Sequence, residues 1–99
     1  MTTLSGFLPV QRCQTACFSV IATAEPGTMP RVLEIFAKRG LVPARWLSAV
    51  AGPRDGEIHI DIQLADADRE LAERLAQSFR QVVWVQSVLT SVKRVLLSA

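Results

Sequence analysis

A chain of 99 residues, 49% hydrophobic and 20% charged, has the length and composition of one globular domain, and no second domain fits within it. The formal net charge of +2 is spread as Arg and Lys among Asp and Glu, so there is no concentrated basic footprint for nucleic acid. No apolar run approaches the ~20 residues of a membrane span, and Met1-Thr2-Thr3-Leu4-Ser5-Gly6-Phe7-Leu8-Pro9-Val10 lacks the cationic start of a secretory signal. A cytoplasmic protein with no membrane partner is expected.

Residues 1–16 read as a flexible leader. Cys13 and Cys17 lack the two-residue spacing of thiol redox and zinc sites, and read as free thiols. Cys17 to Thr23 alternates as a strand, with Phe18, Val20 and Ala22 on one face. Pro26-Gly27 ends it. In the helix that follows, Thr28 and Met29 both qualify as cap and Pro30 falls in the first turn, where its missing N–H is tolerated. Met29, Val32, Leu33, Ile35 and Phe36 form one apolar stripe, Lys38 and Arg39 complement the negative helix end, and Gly40 is the stop.

Ala44 to Ala51 reads as a second strand, and Gly52-Pro53-Arg54-Asp55-Gly56 as the loop of a hairpin. In Glu57-Ile58-His59-Ile60-Asp61-Ile62-Gln63-Leu64 every second residue is apolar, the pattern of a third strand with one face packed and one wet. Asp66 or Asp68 can cap a second helix carrying Leu71, Leu75, Phe79 and Val82 on one side, with Ala72 and Ala76 between them. A fourth strand covers Val83 to Thr90, and residues 92–97 fit either its extension or a short helix. The order strand, helix, strand, strand, helix, strand predicts an α+β ferredoxin-like sandwich, βαββαβ, in which both helices cover one face of a four-stranded antiparallel sheet.

Convergent catalytic groups are scarce. His59 is the single histidine, and the row Glu57, His59, Asp61 is what alternation produces on any wet sheet face, although a small enzyme could place its site there. Base-stacking aromatics of an RNA-binding sheet are absent from the wet positions, which carry Ser19, Ile21, His59 and Asp61. The strand-to-helix turn is the better candidate, because a helix N-terminus offers N–H donors and partial positive charge to a carboxylate. A Pro-Gly turn before a helix also serves as a turn alone.

Taken whole, Glu25-Pro26-Gly27, Arg31-Val32-Leu33, Phe36 and Lys38-Arg39-Gly40 resemble the opening of an ACT domain, and the resemblance is greatest to the short regulatory small subunit of acetolactate (acetohydroxyacid) synthase over Phe18 to Thr90. It implies an ACT domain over residues 17–91 with a tail over 92–99, and a non-catalytic protein without cofactors of its own. The implied partners are a second copy, with a dimer of dimers left open, and a large catalytic subunit that carries thiamine diphosphate and FAD. A stand-alone amino-acid-sensing ACT protein regulating another enzyme is the alternative. The ligand site implied by the resemblance comprises Ala24, Glu25, Pro26, Gly27, Thr28 and Met29 with Gly40, Leu41 and Val42. Valine-responsive small subunits carry asparagine where this chain has Ala24 and Val42, so side-chain amides are lost and weak or no valine binding is expected. The backbone N–H groups of Gly27 and Thr28 are expected to remain as anion donors. Trp46 and Trp84 are expected at a subunit interface or at the periphery of the core.

Overall fold

The computed structural model describes residues 10–98, the side chains of residues 14–94 among them. Strands β1 (Val10–Thr23), β2 (Arg45–Ala51), β3 (Glu57–Ala65) and β4 (Val85–Ser98) and helices α1 (Thr28–Lys38) and α2 (Arg69–Arg80) follow in the order βαββαβ. The four strands form one antiparallel sheet in the order β2-β3-β1-β4, as a ferredoxin-like sandwich requires.

Alternation decides which side is covered. Ala16, Phe18, Val20 and Ala22 of β1, Ile58, Ile60, Ile62 and Leu64 of β3, and Val88 of β4 are buried beneath Val32 and Phe36 of α1 and Ala72, Leu75, Ala76 and Phe79 of α2. Phe18 holds the layers together. Its ring meets Phe79 edge-on at 5.1 Å and Phe36 at 6.3 Å, the T-shaped geometry that aromatic quadrupoles favour.

The helix ends follow their local chemistry. Asp68 caps α2 by accepting the Leu71 N–H at 2.9 Å. At the end of α1 the N–H of Gly40 reaches the Ala37 carbonyl (3.0 Å) and that of Leu41 the Phe36 carbonyl (2.9 Å), closing a Schellman motif with Gly40 at φ +68°. At its start the cap is Gly27, with no side-chain acceptor, rather than Thr28 or Met29. Thr28 is already the first helical residue because Pro26-Gly27 complete the turn before it.

Three further expectations change. β1 begins at Val10, not Cys17, because it pairs with an equally long β4 from Val10↔Ser98 onward; the part of the expected leader that precedes Val10 lies outside the described residues. Residues 92–97 are strand, held by that same ladder. In α1 the apolar stripe divides: Val32 and Phe36 are buried, whereas Met29 and Leu33, on the flank towards β2, are exposed. Among the described residues no helix is long and apolar enough to cross a membrane.

Candidate functional site

The β1–α1 junction is a type I turn. Glu25 accepts the N–H of Thr28 at 3.0 Å, Pro26 occupies the position that fixes φ, and Gly27 lies at φ −84°, ψ −4°. This removes one expected anion donor, since the Thr28 N–H already serves the turn. The Thr28 side chain is turned inward as well. Fully buried, it donates from Oγ1 to the Thr23 carbonyl at 2.7 Å and ties the helix start to the strand end. The N–H groups of Gly27 and Met29 have no protein acceptor among the described residues, so these two remain uncommitted donors.

Gly27 is required here for space rather than for a left-handed backbone. A β-carbon built on it would lie 2.9 Å from Cζ3 and 3.0 Å from Cη2 of Trp84, so the indole sits directly on the turn. The irregularity that brings Trp84 there is a β-bulge: the β1–β4 register passes from Ile21↔Ser87 to Ala22↔Val85, skipping Gln86, and the Thr23 N–H then reaches the Trp84 carbonyl at 2.9 Å. Gln86 donates from Nε2 to Thr23 Oγ1 at 3.3 Å. Nothing in the sequence pattern marks that skipped residue.

The remaining candidates lie elsewhere. Gly40, Leu41 and Val42 follow the far end of α1, and eleven helical residues at ~1.5 Å each separate them from the turn by about 16 Å. Within one chain the two groups do not meet. Leu41 packs against the core and Val42 is exposed. Trp46 pairs with Ile62 on the helix-covered side of the sheet and is half-buried against the core edge.

On the open face, His59 Nε2 lies 3.2 Å from Glu57 Oε1, whereas Asp61 is a full alternation further along β3 beside Leu47 and Ser19. Among the described residues no group of three or more His, Cys, Asp or Glu is placed to hold a metal ion. Cys17 is a free thiol on the same face.

The family described as ACT-like domain matches residues 10–95. The chain belongs to the ACT-like family. ACT domains are regulatory modules, which accords with a non-catalytic role. Its fold is similar to the ACT domain of GTP pyrophosphokinase from Chlorobium tepidum (TM-score 0.65, 13% identity, covering 78% of this chain and 96% of that one). It is also similar to the C-terminal domain of the MgtC protein from Mycobacterium tuberculosis (TM-score 0.64, 14% identity, 81% and 87%). A third likeness is to the ligand-free regulatory subunit of aspartate kinase from Thermus thermophilus (TM-score 0.60, 15% identity), covering 91% of this chain and 63% of that one. At these identities the likeness is one of fold. No curated protein sequence matches this one.

Proposed function

We propose that this ACT-like chain is a regulatory subunit that acts as a side-by-side homodimer on a separate catalytic subunit, that of acetolactate synthase. One observation carries the dimer: the open edge strand β2 is flanked on the helix side by an apolar strip. Leu33 is 46% exposed and Val50 is 56% exposed, Met29 and half-buried Trp46 lie beside them, and the Ser48 hydroxyl reaches Met29 Sδ at 3.4 Å. An edge strand with unpaired N–H and C=O groups is a template for another strand.

Antiparallel pairing of β2 with β2 of a second copy, centred on Ser48, sets Trp46 opposite Val50 of that copy, an aromatic–β-branched pair on one face. The same two-fold axis runs the two α1 helices antiparallel. The turn at Glu25 to Met29 of one copy then approaches Gly40 to Val42 of the other, which unites the two groups of ligand-site residues that one chain keeps about 16 Å apart. The effector such a site fits is a small anion such as an amino-acid carboxylate, received by the Gly27 and Met29 N–H groups, with Ala24 and Val42 offering no side-chain hydrogen bonds.

Co-expression with a thiamine-diphosphate-dependent acetolactate synthase large subunit tests the partner. Co-purification with a change in that subunit's rate is expected; neither binding nor rate change would remove the acetolactate synthase assignment and leave the ACT fold standing. Calorimetry with valine, leucine and isoleucine tests the effector, with no measurable valine binding expected. Val50→Asp should abolish any binding that wild type shows, because the two groups of ligand-site residues meet only across the β2 pairing.

A further inference from the structure

We propose that the outer edge of β4, from Thr90 onward, is a docking site for an extended acidic segment of another protein, received as a fifth strand. β4 is the outermost strand on the side away from β2. In a strand the N–H and C=O of one residue point to one side and those of the next residue to the other. Ala24 and Gln14 of β1 bond towards the β3 side, to Gly56 and Ala67, so the even-numbered residues of β1 face β3 and the odd-numbered ones face β4. The register then commits the backbone groups of Leu89, Ser91 and Lys93 to β1, opposite Ser19, Cys17 and Thr15. Those of Val88, Thr90, Val92 and Arg94 point outward.

One end of this edge is closed. Arg80, at the end of α2, donates from Nη2 to the Val88 carbonyl at 3.1 Å. From Thr90 to Arg94 no outward N–H or C=O has a partner among the described residues, and the strand runs on to Ser98. Such a row is what strand addition uses: the main-chain bonds supply affinity and the flanking side chains supply selectivity.

Charge complementarity names the occupant. β1 and β4 contain Arg12, Lys93 and Arg94 and no carboxylate. Arg94 shares a cleft with Asp66, whereas Lys93 is exposed on the open face, has Thr15 beside it across the ladder and makes no ion pair among the described residues. A carboxylate on the added strand would complete a cross-strand pair with Lys93, worth roughly 1.5- to 5-fold in affinity. The same cation works against a second copy. Antiparallel pairing of two β4 strands about Val92 or Arg94 would set their Lys93 side chains diagonal to each other, and pairing further back would meet Arg80 at Val88.

Amide hydrogen exchange by nuclear magnetic resonance on the full chain tests this residue by residue. Without a partner, the amides of Thr90, Val92 and Arg94 should exchange fast and those of Leu89, Ser91 and Lys93 slowly. The probe is a capped peptide of alternating valine and glutamate, about nine residues long, with its valine–lysine counterpart as control. At nine-tenths occupancy the acidic peptide should slow Thr90, Val92 and Arg94 about tenfold. It should bind roughly fivefold tighter than the basic one, an order that Lys93→Glu reverses. Val92→Pro removes an outward N–H that β1 does not use, a position where an edge strand tolerates proline, and should abolish the slowing while the amides of β3 stay protected. Should V92P fail to fold, K93E alone decides. No slowing at millimolar acidic peptide, equal binding of both peptides, slowing that survives V92P, or slowing at the outer edge of β2 in place of β4 would overturn the proposal.

Discussion

Replacing Gly27 by alanine sets two effects of opposite sign against each other. At φ −84°, ψ −4° the backbone of Gly27 suits any residue, so the reduced freedom of the unfolded chain alone would stabilise the variant by about 0.4–1 kcal/mol. Against this, the new β-carbon would sit 2.9 Å from the Trp84 ring, which must move off the turn. Forcing a packed group aside costs about 1–3 kcal/mol. The clash wins, and G27A should be less stable than wild type by about 1 kcal/mol, a fall in Tm of about 4–8 °C for a domain of this size.

The sign should reverse when the ring is gone. In a Trp84→Ala background only the entropic effect survives, and G27A should then stabilise by about 0.5 kcal/mol. Thermal and urea unfolding followed by far-ultraviolet circular dichroism of the four proteins closes the cycle, with an expected coupling of about 1.5 kcal/mol. A G27A substitution that raises Tm in both backgrounds would refute the placement of Trp84 on the turn, and with it the account of why glycine stands there.

Gly40→Ala isolates conformation from contact, since no atom lies within 4 Å of the would-be β-carbon and φ is +68°. A loss of about 1 kcal/mol is expected in urea unfolding, most of it recovered by Gly40→Asn, and an unchanged midpoint would contradict the left-handed stop. Asp68→Ala removes the one side-chain cap on α2 and should cost about 1 kcal/mol in the same assay.

The parts of the fold that were legible are those where one period dominates. β3 alternates from Glu57 to Leu64 without a break, and Leu75 and Phe79 with Ala72 and Ala76 mark the buried face of α2. β1 was legible only from Cys17. Upstream of it, Gln14, Thr15 and Ala16 mix polar and small residues without a clear period, and what keeps them extended is the ladder to β4, a pairing between residues almost the whole chain apart. The apolar stripe of α1 reads as one face because Met29, Val32, Leu33 and Phe36 all recur at helical spacing. Periodicity says which residues share a side, not where the neighbouring sheet ends, and the sheet ends at β2 beneath Met29 and Leu33.

The candidate site was legible as a set of residues and not as a place. Glu25-Pro26-Gly27 and Gly40-Leu41-Val42 bracket one helix, so adjacency along the sequence suggests a common pocket that the rigid length of α1 forbids within a chain. Trp84 shows the converse: fifty-seven residues from Gly27 by count, it is brought onto the turn by a single skipped residue in β4. If the two brackets do share a ligand, a symmetry operator must supply what the chain cannot, and the exposed Leu33 and Val50 beside the open β2 edge are where such an operator has a surface to act on. Binding and dimerisation would then be one equilibrium: ligand would tighten the dimer by the same factor as the dimer tightens ligand. An effector that bound the V50D monomer as well as the wild type would break that linkage and place the site within a single chain.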